Sequence, residues 1–123
     1  MDIVFYALTI GLIGWMIYRQ FAPVKGLRTM QAEDFKKASK GHKLIDVREP
    51  HEFKEGHLPG AVNLPLSQFR SRLSEIPRDR EVYLYCRSGM RSKQASKWLV
   101  RSGHRNVAHL SGGLLSWQGG LKR

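Results

Sequence analysis

Cysteine is almost missing from this chain of 123 residues: Cys86 is its one thiol. A single thiol excludes an intramolecular disulfide, a cysteine-based zinc site and the paired chemistry of a CxxC redox centre, so whatever Cys86 does, it does alone. Acidic side chains are also scarce, ten against 21 lysines and arginines, and all ten precede residue 82. The last 42 residues therefore carry eight basic side chains and no acidic one. The resulting net charge of +11 points to anionic partners. No internal repeat or low-complexity tract appears, and 41% hydrophobic residues with 12 Gly and 5 Pro exclude a disordered or collagen-like chain. The length allows one modest core and excludes a multidomain assembly. His42, His51, His57, His104 and His109 lack the paired spacing of metal ligands, so no metal is expected.

Charge is absent altogether from Ile3 to Tyr18, 16 residues that are followed by Arg19. As a helix that run reaches about 24 Å, and Met1, Phe21, Ala22 and a snorkelling Arg19 extend it to about 30 Å, enough to span a bilayer. A cleaved signal would open with a basic segment and close on small residues, whereas this one opens with Asp2 and is followed by Gln20 and Phe21. It reads as an uncleaved anchor over residues 1–22, the alternative being a buried core helix. Arg19, Lys25, Arg28, Lys36 and Lys37 follow it and only Asp2 precedes it, which places the C-terminal side in the cytoplasm. The expected localisation is thus the cell membrane, single-pass. Ala7, Gly11 and Gly14 share a helix face and offer a seam for a helix-mediated homodimer. Residues 23–29 are read as a short linker that holds the folded part, residues 30–120, close to the membrane.

Periodicity predicts a helix over 31–40 with Ala32, Phe35 and Ala38 on its apolar face and Gly41 as its stop, and a strand over 43–47. It continues with a strand over 61–63, a helix over 67–75 capped near Leu66 and Ser67, a turn over 77–80 and a clear strand over 82–85. A helix from 91 or 92 to 102, with Ala95, Trp98 and Leu99 facing in and Gly103 as its stop, a strand over 106–110, a Gly112-Gly113 turn and a last helix over 114–118 complete the chain. Short strands alternating with helices argue for an α/β fold with a parallel sheet covered on both faces.

The strand Val82-Tyr83-Leu84-Tyr85 delivers Cys86 at its C-terminal end, directly before a helix N-terminus, which is where open α/β sheets bind ligands. An apolar strand followed by a lone cysteine also describes an inert core residue. Arg87, Gly89 and Arg91 within five residues favour the reactive reading. Backbone N–H groups of Arg87 to Arg91, including those of Ser88 and Met90, can curl into an anion-binding nest, with Gly89 supplying the positive φ that the curl needs. The helix dipole and the two arginines favour negative charge there, so Cys86 is read as a nucleophile near neutral pH.

The loop CRSGMRS resembles the active loop of the rhodanese-like sulfurtransferases. LIDVREPHEFKEGHLPGAVNLP, residues 44–65, resembles that family's N-terminal signature, and HLSGGLLSWQGG its C-terminal end. The resemblance runs from about residue 30 to 120 and leaves the anchor outside. It implies a small parallel sheet flanked by helices, no cofactor, and a ping-pong reaction. In that reaction Cys86 takes sulfur from a small anionic donor such as thiosulfate, and its persulfide passes it to a thiol or protein acceptor. Arg91 and Arg87 would hold the donor's oxygens. Asp46 and Arg48 match family positions and are read as structural, with Asp46 orienting a loop arginine, and His57 is read as a structural, hydrogen-bonding histidine.

Two other classes compete. A noncatalytic membrane-tethered interaction module typically loses the cysteine or the loop arginine, and this chain keeps both. Lys93, Lys97 and Arg101 line one helix face, but no aromatics interleave, so no nucleic acid is expected. Phosphate-processing relatives place five residues between cysteine and arginine; here four separate Cys86 from Arg91. With no acid after Glu81, no general acid is expected beside the loop.

Overall fold

The computed structural model describes residues 2–21 and 25–123. Ala22, Pro23 and Val24, where the anchor reading ends and the linker reading begins, lie outside the described residues. Five parallel strands, β1 (Leu27–Met30), β2 (Lys43–Asp46), β3 (Val62–Asn63), β4 (Val82–Tyr85) and β5 (Val107–Leu110), form one sheet in the order β1-β5-β4-β2-β3. Helices α1 (Asp2–Phe21), α2 (Ala32–Ala38), α3 (Pro50–Glu55), α4 (Leu66–Phe69) and α5 (Met90–Arg101) are joined by 3-10 turns at Arg70–Glu75 and Gly113–Ser116.

β4 is central and apolar throughout because both of its faces are covered. Val82 and Leu84 point, with Ile45, Val47 and Val107, into a cluster closed by Phe69 of α4 and by Ala95 and Leu99 of α5. Tyr83 and Tyr85 point the other way, into a cluster with Leu44, Leu58 and Phe35 of α2. Phe35 meets Tyr83 edge-on, ring centroids 5.6 Å apart; burying such a side chain contributes about 1.5 to 3 kcal/mol. The alternation sends Cys86, next in line after Tyr85, towards α5.

Several elements differ from expectation, each for a local reason. Residues 27–29, read as linker, belong to β1, an edge strand that pairs Leu27 to Met30 with Val107 to Leu110. Arg28 and Thr29 are both exposed there and hide the apolar pattern. α3 went unforeseen because it buries no residue; Pro50 at its first turn and a reciprocal capping box between Glu49 and Glu52 form it. The helix expected over 67–75 is only one turn of α-helix, capped by Pro65 rather than by a side chain, and then a 3-10 segment with Arg72 out of helical conformation at φ −116°. The helix expected over 114–118 is a single 3-10 turn. α2 stops at Ala38, three residues before Gly41, and α5 starts at Met90, one residue earlier than expected.

α1 buries none of its residues from Asp2 to Arg19, and that stretch is long and apolar enough to cross a membrane. It is a candidate span.

Candidate active site

Cys86 sits at the C-terminal end of β4, fully buried, and the chain then turns sharply into α5. Gly89 makes that turn in the left-handed region, φ 101°, as the N-cap of α5. Two backbone N–H groups consequently point at the sulfur: Gly89 N lies 3.0 Å and Ser92 N 3.4 Å from Sγ. Ser92 Oγ stands 3.6 Å from the same sulfur. On the far side of the loop, the carbonyls of Cys86 and Arg87 accept the N–H groups of Leu114 and Leu115 at 3.0 and 3.1 Å. Carbonyls tied behind the loop leave its N–H groups free to turn inward, the arrangement that stabilises an anionic sulfur.

Arg91, on the first turn of α5, does not stand alone. Its two terminal nitrogens donate to Glu52 Oε1 and Oε2 of α3 at 2.7 and 3.0 Å, and Glu52 Oε1 also accepts the Glu49 N–H at 3.0 Å. A carboxylate therefore does lie beside the loop, contrary to expectation, brought there by α3 rather than by the chain after residue 81. The Arg91 hydrogen bond, ahead of the other contributions, holds the Glu52 carboxyl down to about 2, and Glu52 raises Arg91 in return. An acid ionised down to that pH has no proton to donate.

The pH consequence is definite in sign. A depressed carboxyl contributes stability that is fully present above its ordinary value of 4.5 and is lost as pH falls through about 2. Melting wild type and Glu52→Gln side by side should show a constant gap from neutral pH to about 4.5, of about 1 kcal/mol for a partly exposed pair, closing below that. Parallel melting curves down to pH 2 would refute the assignment.

Asp46 orients Arg48 and not a loop arginine, which corrects the expectation. Asp46 Oδ1 accepts the Arg48 backbone N–H at 2.8 Å, and both carboxylate oxygens accept its guanidinium at 2.7 to 3.0 Å. Arg48 Nη2 also donates to the Gly56 carbonyl at 2.6 Å, and Asn63 Nδ2 donates to the carbonyls of Asp46 and Arg48 at 3.0 and 2.8 Å. This buried clamp fixes the stretch that carries α3, and through it Glu52. His57 Nδ1 lies 3.0 Å from the Phe53 carbonyl, its ring stacked on Phe53 at 3.8 Å, and its backbone pairs with Lys122. None of those contacts involves Cys86. Arg87, Ser88 and Met90 form the exposed rim of the loop, Met90 at 76% exposure.

Sequence reasoning missed Glu52, Ser92, His109 and Gly113. Gly113, with φ 59°, packs so tightly under the loop that a β-carbon there would meet the carbonyl oxygens of Cys86 and Arg87. Among the described residues no cluster of ligating side chains fit for a metal is found.

A parallel α/β sheet with a buried thiol in a nest at a helix N-terminus defines a class of cysteine-dependent transfer domains. The sequence model of the rhodanese-like domain matches residues 31–119, and the chain belongs to that family of sulfurtransferases. It is 40% identical over 120 residues to the uncharacterized protein YqhL of Bacillus subtilis, covering 98% of this chain and 92% of that one. To a sulfurtransferase of Allochromatium vinosum it is 46% identical over 74 residues, 60% of this chain and 69% of that one. The human single-domain sulfurtransferase TSTD1 superposes with a TM-score of 0.67 at 25% identity, over 72% of this chain and 93% of that one.

Proposed function

We propose that this chain is a membrane-tethered enzyme that takes sulfane sulfur from a small anionic donor of the thiosulfate type and hands it to a thiol or protein acceptor. The observation that carries this reading is the pair of N–H groups, Gly89 and Ser92, aimed at the Cys86 sulfur. Cys86 thiolate attacks the donor's outer sulfur, the sulfur–sulfur bond breaks, and sulfite leaves with the bonding pair. The terminal sulfur of the new persulfide carries the negative charge. An acceptor thiolate then attacks that outer sulfur and Cys86 departs as thiolate. No cofactor enters either half.

Charge and access shape the donor step. Cys86 has no exposed surface, so a donor reaches its sulfur only when the residues around it move. Arg87, exposed on the rim of the loop, meets the anion first. Arg91 serves it within the loop in competition with Glu52, whose ion pair the donor's oxygens must displace. The four-residue spacing from Cys86 to Arg91 and an ionised Glu52 that cannot protonate a leaving alkoxide both favour sulfur transfer over phosphate ester hydrolysis.

Intact mass measurement after incubation with thiosulfate tests the reading: one added sulfur, on Cys86, is the expected result. An unchanged mass would overturn it and leave the noncatalytic tethered module.

Membrane attachment rests on α1, whose large apolar side chains from Ile3 to Tyr18 are exposed, Ile3 at 83% and Leu8 and Ile10 at 70%. The alignment with YqhL covers nearly all of this chain and so extends through α1. The basic residues after α1 support a cytoplasmic side for the domain, and the small residues Ala7, Gly11 and Gly14 offer the seam for a second copy. Fractionation should find the full chain in the membrane pellet, with the domain protected from protease added to intact spheroplasts. A soluble full-length chain, or digestion from outside, would refute this.

A further inference from the structure

His109 is a polar residue in an otherwise apolar strand, 4% exposed, and no acidic side chain accounts for it. Its two nitrogens face different worlds. Nδ1 lies 3.2 Å from Ser92 Oγ, which itself stands 3.6 Å from Cys86 Sγ and 3.2 Å from the Gly89 carbonyl. Nε2 lies 3.1 Å from the hydroxyl of Thr29, its register partner across the β1–β5 pair. Thr29 is exposed and, with His109, Ser88 and Lys93, lines an open cleft of about 460 Å³ beside the loop. An unbroken chain of exchangeable protons thus runs from a fully buried thiol to solvent: sulfur, hydroxyl, imidazole, hydroxyl.

We propose that Ser92 and His109 are the proton path of Cys86. The Ser92 hydroxyl turns its one proton from the Gly89 carbonyl to His109 Nδ1; the thiol proton passes to Ser92 Oγ as that proton passes to Nδ1, and the proton on Nε2 leaves through Thr29 to the solvent of the cleft. The balance is one proton released and one thiolate formed, with the imidazole changed from its Nε2–H to its Nδ1–H tautomer and never left charged. The same step leaves the serine hydroxyl donating to the thiolate, a third hydrogen bond beside the two N–H groups. When Cys86 departs as thiolate in the second half-reaction and takes up a proton, the chain runs backwards and the tautomer resets. Burial, and then Lys93 on α5, push His109 down to about 4, so near neutral pH the ring is uncharged and able to pass a proton. Ser92 touches the reacting sulfur; His109 is a positioning residue that acts through it.

The path gives sulfur transfer its proton step and in that sense rests on the reading above, but its test does not need a sulfur donor. Thiolate absorbance after a jump from acid to alkaline pH reports proton departure from the one thiol directly. The comparison is among wild type, Ser92→Ala, His109→Ala and His109→Asn, whose amide fills the place of Nδ1 without carrying a proton through. All three variants should form thiolate at least tenfold more slowly than wild type. Added imidazole, entering from the cleft, should restore the rate of His109→Ala in proportion to its concentration and leave Ser92→Ala slow. Wild-type rates in Ser92→Ala or in either His109 variant would overturn the proposal, and so would a slow His109→Ala that imidazole does not accelerate. A wild type that forms thiolate in the jump yet gains no sulfur from thiosulfate would refute the sulfurtransferase reading alone, and the same rates would still decide the path.

Discussion

Cys86→Ser should abolish sulfur uptake, with transfer falling by at least about 10³-fold to the background of the uncatalysed reaction. No other thiol in the chain can store the sulfur. The replacement is nearly isosteric and keeps the two N–H donors of Gly89 and Ser92, so what is lost is the nucleophile and not the nest. A serine hydroxyl at that place meets the same donors and Ser92 Oγ, and the fold should hold within about 1 kcal/mol of wild type. Two measurements on one preparation decide it: intact mass after thiosulfate, which should not change, and the melting temperature, which should barely move. Sulfur retained by the variant would remove Cys86 from the mechanism, and a collapsed melting transition would show that the thiol is chiefly a core residue.

What the sequence made legible was the part of the site that is contiguous. Strand, loop and helix from Val82 to Arg101 follow one another directly, and local rules sufficed: an apolar run for β4, a glycine for the positive φ, a helix N-terminus for the anion. The residues that surround this unit arrive by register and packing, which no local pattern carries. Thr29 reaches His109 only because β1 pairs with β5, and β1 itself was hidden by the two adjacent exposed residues Arg28 and Thr29 at a sheet edge. Glu52 reaches Arg91 across 39 positions of sequence, from a helix that buries nothing and so has no apolar period to find. For Asp46 the sequence suggested a partner in the loop, whereas the arginine two residues along the chain was near enough to take both of its oxygens. Ser92 was in plain view beside Arg91, but its hydroxyl acquires meaning only once β5 sets His109 next to it.

Gly113→Ala should cost about 2 to 5 kcal/mol and most of the sulfur transfer, a larger effect than any other glycine substitution in the C-terminal segment. Two costs add at this position. The residue has φ 59°, where a β-carbon raises the energy by about 1 to 2 kcal/mol. The added carbon would also collide with the carbonyl oxygens of Cys86 and Arg87, backbone atoms that cannot swing aside as the end of a side chain would. Relief requires the loop or the 3-10 turn to move. Either motion stretches the hydrogen bonds from Leu114 and Leu115, now 3.0 and 3.1 Å, that hold those carbonyls behind the loop. The N–H groups on the opposite side would then lose their aim at the sulfur, so activity should fall further than stability alone explains. Gly120→Ala is the control, since a β-carbon there meets nothing within 4 Å and the backbone is outside the left-handed region. Melting temperature and single-turnover sulfur uptake, measured below the melting transition of the weaker variant, separate the two effects. If folded Gly113→Ala takes up sulfur as fast as Gly120→Ala, the turn beneath Cys86 has no part in aiming its donors.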